Sequence, residues 1–369
     1  MNMVRLVCGD ALEQLRLLPD ESVQCCITSP PYWGLRDYGI AGQLGLERTP
    51  EEYVAKLVKV FREVRRVLRD DGTFWLNLGD CYHSGDCGGY RKDSHRWENS
   101  HMQAMAHGTH MEAVSPNRLP QAGLKDKDLV GIPWRVAFAL QADGWWLRSD
   151  IIWSKPNPMP ESVTDRPTKA HEYIFMLAKS ARYYYDAEAI KEPANPASVA
   201  RYDYAFGGAK NEQLTADEAR GPGTRTHPIG MRKPSGKHST TAPNASGRRI
   251  TENVCAARQN GADHDNPFGQ YRNRRTVWTI PTQPFPEAHF ATFPEALVEP
   301  CIAAGSGPGD TVLDPFCGSG AVGVVALRAG RDFIGIDLSP KYVEMARRRI
   351  EATAPLFVSV DNSVQDQAR

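Results

Sequence analysis

The stretch TVLDPFCGSGAVGVVALRAGRDFIGIDLSP (Thr311–Pro340) contains two apolar runs separated by a segment rich in small residues. The first run ends near Asp314 and the second near Asp337, and a helical pattern runs from the Gly318–Gly320 turn to about Ala329. A strand, a glycine turn, a helix and a second strand ending in a carboxylate build a nucleotide site in dinucleotide-binding folds. A tight turn with Asp337 as a helix cap is the alternative that this stretch alone leaves open.

Five further apolar runs have the length of strands. With the two above, they are RLVCG (5–9), VQCCITS (23–29), TFWLNLG (73–79), DIIWSK (150–155), EYIFMLAK (172–179), TVLDPF (311–316) and DFIGIDL (332–338). Several are apolar on both faces, which is typical of a parallel sheet covered by helices. Helical patterns lie between some of them, at Pro50–Leu68 and from about Ser339 onwards. The alternation predicts an α/β protein with a doubly wound, mostly parallel sheet of seven strands.

A rigid, aromatic loop follows one of the predicted strands. The stretch TSPPYWGLRDYG (Thr28–Gly39) comes directly after the apolar run VQCCI. Its two prolines end the strand and fix the backbone. The Ser29 hydroxyl and the Pro30 carbonyl can accept hydrogen bonds, and Tyr32 offers a flat face. We interpret the loop as a pocket for a flat ligand, with a turn packed by its own aromatics as the alternative.

The composition is typical of a soluble globular protein, with 41% hydrophobic and 24% charged residues among 369. No apolar run reaches the roughly 18 residues of a membrane span, and the N-terminus lacks the features of a secretory signal. We therefore expect a cytoplasmic protein with no membrane partner and eight reduced cysteines. The spacing of Cys81, His83 and Cys87 matches no standard zinc site, and we predict no metal.

The overall net charge of zero hides a basic segment. Residues 220–275 contain eleven Lys and Arg against three Asp and Glu, a net charge of +8. A phosphate-contacting surface and a solvated insertion both fit this composition. The segment lies within residues 186–285. This stretch and residues 81–128 both interrupt the order of strands and helices.

Three motifs give the chain a family resemblance. DPFCGSG with IGIDLSPKYVEMARRR resembles the S-adenosylmethionine site of amino-group DNA methyltransferases, and TSPPY resembles their catalytic motif, [D/N/S]PP[Y/F]. The block WSKPNPMPESVTDRPTKAHEYIFMLAKS (153–180) is similar to a further block of that family. Because the catalytic motif comes before the cofactor motif, the chain resembles the β class, a circular permutation of the Rossmann-like methyltransferase fold.

The resemblance implies S-adenosylmethionine as cofactor and gives roles to individual residues. Cofactor contacts are implied for Asp10, Asp314, Phe316, Cys317, Gly318, Gly320 and Asp337, and for Phe290 and Thr292 in the block HFATFP. Catalysis is implied for Ser29, Pro30, Pro31 and Tyr32, which would hold a base flipped out of the duplex. DNA contacts are predicted for Lys155, Arg232, Lys233, Arg248, Arg249, Arg272 and Arg274.

The implied organisation has four parts. Residues 1–185 form the catalytic part, with a flexible insertion at 81–128; residues 186–285 form a target-recognition insertion; residues 286–355 form the cofactor-binding part; and residues 356–369 form a tail.

The motif order and the basic insertion favour a DNA methyltransferase over one that acts on RNA or protein. A binding module without activity is a further alternative.

The implied activity is site-specific methylation of cytosine N4 in double-stranded DNA. Ser29 resembles the cytosine-N4 members of the family more than the adenine-N6 members, and adenine N6 is the runner-up. A cognate restriction endonuclease and a homodimer are partners that the resemblance leaves open.

We expect charge reversal at Arg248 and Arg249 to weaken DNA binding and to flatten its salt dependence. Each phosphate contact releases counterions, so losing two contacts should lower the slope of log K against log salt concentration by about 2. The measurement compares this slope for the Arg248→Glu/Arg249→Glu variant and the parent protein. An unchanged slope would remove the pair from the interface.

Overall fold

The computed structural model describes residues 2–83, 121, 123–197, 271–283 and 293–353, and the backbone of 358–361. The chain forms two compact units, Met1–Ile190 with Arg275–Arg369, and Lys191–Arg274. In the second unit, β6 (Glu192–Pro193) and β7 (Tyr271–Arg272) pair antiparallel. Most of the predicted insertions 81–128 and 186–285 lies outside the described residues.

A nine-stranded sheet forms the centre of the described part of the first unit. Its strands are β1 (Asn2–Cys8), β2 (Val23–Thr28), β3 (Leu68–Leu78), β4 (Trp146–Ser154), β5 (His171–Ala178), β8 (Val277–Thr279), β9 (Thr311–Asp314), β10 (Asp332–Asp337) and β11 (Val358–Asp361). Their order is β11-β1-β10-β9-β2-β3-β5-β4-β8. β5 runs antiparallel to both neighbours, and the other pairings are parallel.

The sheet confirms the predicted α/β fold and its permuted order. β9 and β10 come late in the chain, yet they lie between β1 and β2. The sheet has two strands more than the seven predicted, one at each edge: β8 and β11. Because these strands have only three and four residues, a period-two pattern cannot distinguish them from loop.

Helices cover both faces of the sheet. On one face lie α1 (Ala11–Arg16), α2 (Pro50–Val67) and α3 (Ile132–Ala142), and on the other lie α4 (Glu295–Gly305), α5 (Ala321–Arg328) and α6 (Pro340–Thr353). Side chains alternate along a strand, so Cys26 of β2 packs into the first core and Cys25 into the second. No helix among the described residues is long and apolar enough to span a bilayer.

A buried carboxyl group lies in the middle of the sheet, at the end of β9. Asp314 accepts a hydrogen bond from Thr28 Oγ1 at the end of β2, with 2.5 Å between the oxygens, and one from the Phe316 N–H at 3.1 Å. Burial raises the pKa of Asp314 from 3.8 to about 7, and the charge of Asp337 adds to the rise. The two hydrogen bonds lower that pKa, but they do not outweigh the burial.

We expect Asp314→Asn to change how stability depends on pH. Between about pH 4 and pH 7 the folded protein holds a proton on Asp314 that the unfolded chain has released. The contribution of Asp314 to the free energy of unfolding therefore falls as pH rises through this window, by up to about 1.4 kcal/mol per pH unit. The variant lacks this loss, so its stability relative to the parent should rise from pH 4 to pH 7 and then level off.

Urea unfolding of both proteins across this pH range measures the difference. Asp150→Asn, at an exposed position of β4, is the matched control for a change from carboxyl to amide outside the core. A constant difference for Asp314→Asn would contradict the raised pKa of Asp314.

Candidate active site

Four parallel strands end at one edge of the sheet, and a predicted site residue lies at each end. β1 is followed by Asp10 and β2 by Ser29, while β9 ends in Asp314 and β10 in Asp337. Because the carboxyl ends of parallel strands meet, these distant parts of the chain line one cavity of about 690 Å³. This volume is typical of a small-molecule site.

One half of the cavity is a cradle formed by the turn after β9. Gly318 adopts φ +51°, a conformation that favours glycine, and its N–H donates to Asp337 Oδ2 at 2.8 Å. Asp337 Oδ1 accepts from the Ser339 N–H at 2.8 Å. Gly318 lines the cavity, whereas Gly320 packs on α6, where a Cβ would come within 2.9 Å of Ala346 Cβ.

The other cofactor residues predicted from the sequence also lie around this cradle, where they are described. Asp10, Phe316 and Cys317 line the cavity. Asp10 in addition caps α1, because its Oδ1 accepts from the Glu13 N–H at 3.0 Å. Phe290 and Thr292 lie outside the described residues.

Two carboxyl groups of the cradle have pKa values shifted towards the neutral form. Burial raises the pKa of Asp337 as it does that of Asp314, although backbone hydrogen bonds from Ser339 and Gly318 oppose the rise at Asp337. A nearby cation would favour the ionised form of both carboxyl groups. A bound cation would therefore offset both the burial of each carboxylate and the repulsion between the two.

The other half of the cavity is a polar network around the SPPY loop. The Ser29 hydroxyl donates to Tyr32 Oη at 3.2 Å, and the Tyr32 hydroxyl donates to Glu172 Oε2 at 2.8 Å. Asn77 Nδ2 lies 2.6 Å from Tyr32 Oη, 3.0 Å from Glu172 Oε2 and 3.3 Å from Ser29 Oγ. Lys155 Nζ completes the network through an ion pair with Glu172 Oε1.

The ion pair keeps a charged carboxylate inside this network. The side chains of Lys155 and Glu172 are only 17% and 15% exposed. Burial alone would raise the pKa of Glu172, but the Lys155 ammonium and the hydrogen bonds around the carboxylate hold it below the ordinary value. Burial, followed by the charge of Glu172, raises the pKa of Tyr32 well above 10, so the phenol is neutral.

The loop itself is held by its surroundings. The Tyr53 hydroxyl of α2 donates to the Pro31 carbonyl at 2.7 Å, and the indole N–H of the buried Trp33 donates to the Glu47 carbonyl at 2.9 Å. The Tyr32 ring lies against Gly79, where a Cβ would come within 2.5 Å of a ring carbon. These contacts fix the direction in which Ser29 and Tyr32 point.

Two residues of this network, Asn77 and Glu172, were not predicted. Asn77 is the polar residue within the apolar run TFWLNLG, and Glu172 begins the run EYIFMLAK. A polar side chain in a buried strand needs a partner, and this was the signal available in the sequence. Lys155 was predicted to contact DNA; it lines the cavity, pairs with Glu172 and lies 4.3 Å from the Trp153 ring centroid.

Two of the remaining predicted DNA contacts are described. Arg272 forms an ion pair with Glu192, with 2.9 Å between nitrogen and oxygen, and Arg274 is half-buried two residues further along. Outside the described residues lie Arg232, Lys233, Arg248 and Arg249. The DNA-contacting role of all these residues stays a prediction.

Comparison with known proteins gives a family match over most of the chain. A family model described as DNA methylase, of the N6/N4 methyltransferase type, matches residues 23–348. The type II methyltransferase M.Cfr9I of Citrobacter freundii is 44% identical over 351 residues, which is 95% of this chain and 89% of the relative. The type II methyltransferase M.SmaI of Serratia marcescens is 40% identical over 346 residues, 94% of this chain and 90% of the relative.

Two solved structures share the fold. The PvuII DNA methyltransferase, described as cytosine-N4-specific, has a TM-score of 0.54 at 17% identity and covers 99% of this chain and 88% of its own. A Thermus thermophilus protein complexed with S-adenosyl-L-methionine has a TM-score of 0.51 at 22% identity, covering 96% and 97%. At identities this low, the likeness to these two structures shows only that the fold is shared. The family match and the two close relatives show that the chain belongs to the N6/N4 family of DNA methylases.

Proposed function

We propose that this DNA methylase transfers a methyl group from S-adenosylmethionine to the exocyclic N4 amine of a cytosine in double-stranded DNA. The observation that carries the proposal is one cavity lined both by the SPPY loop, Ser29–Tyr32, and by the cradle of Asp314, Gly318 and Asp337. A methyl transfer needs donor and acceptor side by side, and the two halves of the cavity differ in chemistry accordingly.

The cradle fits the cofactor of the family. The Asp337 carboxylate would bind the two ribose hydroxyls, and the turn at Gly318 lets a ligand approach the backbone closely. Asp10 would lie beside the adenine ring. The buried carboxyl of Asp314 suits a ligand that carries positive charge. When bound, S-adenosylmethionine supplies an electrophilic methyl group on a positively charged sulfur.

The SPPY loop fits the base. An exocyclic amine is a weak nucleophile because its lone pair is delocalised into the ring. Ser29 Oγ and the Pro30 carbonyl would accept its two hydrogens and so favour a tetrahedral nitrogen. Pro31, whose carbonyl is held by Tyr53, fixes this geometry. The base must leave the duplex to reach the loop, and the Tyr32 ring would contact its face.

Cytosine N4 is preferred over adenine N6 because position 29 is a serine. A neutral hydroxyl, rather than a carboxylate or an amide, stands where the amine must be held. The family match covers both N6 and N4 methylases, and adenine N6 presents the same pair of hydrogens. Adenine N6 is therefore the second candidate, with the same fold and the same use of the loop.

The relatives support action at a specific DNA site. M.Cfr9I and M.SmaI are type II methyltransferases, and on this ground we propose a cognate restriction endonuclease as a partner. Residues 186–285, which carry the basic segment, would read base edges in the major groove. A homodimer stays a prediction of the family resemblance.

The test is methylation of mixed-sequence duplex DNA with isotopically labelled S-adenosylmethionine, followed by digestion to nucleosides and mass spectrometry. We expect label in N4-methyldeoxycytidine, confined to one short sequence when the modified positions are mapped. Label in N6-methyldeoxyadenosine would keep the mechanism and overturn the choice of base. Label in no DNA nucleoside, under conditions in which the protein binds S-adenosylmethionine, would contradict the proposal.

A further inference from the structure

We propose that Glu172 receives the proton that the base amine loses during methylation, through a relay formed by the hydroxyls of Ser29 and Tyr32. This inference rests on the proposed function, because the relay begins at the amine held by Ser29. It applies to cytosine N4 and to adenine N6 alike.

The reaction requires a proton acceptor. When the amine nitrogen bonds to the methyl carbon, the positive charge moves from sulfur to nitrogen, and the nitrogen must then release a proton. A serine hydroxyl can accept that proton only if it passes its own proton on. The Ser29 hydroxyl donates its hydrogen to Tyr32 Oη. A lone pair of Ser29 Oγ can therefore accept the proton from the amine.

Asn77 fixes the direction of the hydrogen bonds from Ser29 through Tyr32 to Glu172. Its amide nitrogen faces a carboxylate oxygen of Glu172 at 3.0 Å, an arrangement that only the N–H side of the amide can make favourable. The same NH₂ group approaches Tyr32 Oη and Ser29 Oγ. Because Tyr32 Oη thus accepts from both Asn77 and Ser29, its own hydrogen is left to bond with Glu172.

Glu172 has the charge and the position of the final acceptor. Burial by itself would raise its pKa, but the Lys155 ammonium outweighs that effect, and the carboxylate is ionised at neutral pH. A buried negative charge also favours the movement of positive charge onto the nearby nitrogen. The low pKa lets Glu172 release the proton again once the products leave.

The proposed step balances in atoms and charge. The carbon–sulfur bond breaks and the carbon–nitrogen bond forms, with the electron pair of the broken bond remaining on sulfur. The nitrogen gives a proton to Ser29 Oγ, Ser29 gives its proton to Tyr32 Oη, and Tyr32 gives its proton to Glu172 Oε2. The two hydroxyls end as they began, Glu172 becomes a neutral acid, and Lys155 keeps its charge.

The test uses Glu172→Gln and Tyr32→Phe in the full-length protein, with the rate of methyl transfer measured in a single turnover on duplex DNA. Glutamine can still accept a hydrogen bond from Tyr32 but cannot take up a proton. We expect each variant to lose roughly 100-fold in this rate, with the affinity for S-adenosylmethionine unchanged. Glu161→Gln removes a carboxylate that pairs with Arg166 outside the cavity, and should keep the parent rate.

The double variant distinguishes a relay from two separate effects. Because the two groups act in series, Tyr32→Phe/Glu172→Gln should be no slower than either single variant, whereas independent contributions would multiply. The parent should also slow in heavy water, and the single variants should lose that solvent isotope effect. Multiplying losses, or a Glu172→Gln rate equal to that of the parent, would overturn the relay.

Tyr32→Phe keeps the Lys155–Glu172 ion pair, so it decides the question if Glu172→Gln does not fold. A parent-like rate for Tyr32→Phe would then exclude the relay, and a loss of rate together with the isotope effect would support it. Failure of the proposed function gives a different result, because the parent protein itself would then label no base.

Discussion

The hydrogen bond from Thr28 to Asp314 joins two parts of the chain that are 286 residues apart in sequence. The bond lies at the carboxyl end of the pairing of β2 with β9, in which Cys25 is opposite Val312 and Cys26 is opposite Leu313. The loops that follow these two strands therefore start side by side, one with the SPPY sequence and one with the glycine turn. The two halves of the site come from opposite ends of the permuted chain, and without this pairing they would not meet.

The two halves of the cavity carry opposite electrostatic conditions. Around the cradle, burial raises the pKa of Asp314 and Asp337 and so favours their neutral forms. Around the SPPY loop, the ion pair with Lys155 keeps Glu172 ionised without a ligand. A reaction that moves positive charge from one half to the other would therefore have a carboxylate near both its start and its end.

The sequence predicts the parts of the site that are local in the chain. The SPPY loop and the glycine turn are each short, and each follows a recognisable apolar run. The permuted order of the sheet followed from the order of these two motifs. The edge strands β8 and β11 were not predictable in this way, because three or four residues carry too little periodicity.

The polar network of Lys155, Glu172 and Asn77 could not be predicted from the sequence, because it depends on the register between neighbouring strands. Lys155 follows β4 and Glu172 lies in β5. The antiparallel pairing of these strands brings Lys155, which the sequence predicted only as a DNA contact, into a mostly buried ion pair with Glu172. Asn77 reaches the same carboxylate from β3, on the other side of β5. A pattern read along one strand cannot show which side chains meet across three.

The most direct test of the central claim, that the SPPY loop serves the chemistry rather than the cofactor, is a comparison of two quantities in Ser29→Ala. The rate of single-turnover methyl transfer and the Kd for S-adenosylmethionine are measured on the same preparation. We predict a rate lower by roughly 100-fold, as for the loss of one transition-state hydrogen bond, and a Kd changed by less than about twofold. A Kd that rises in proportion to the loss of rate would mean that Ser29 only maintains the structure, and would contradict the account.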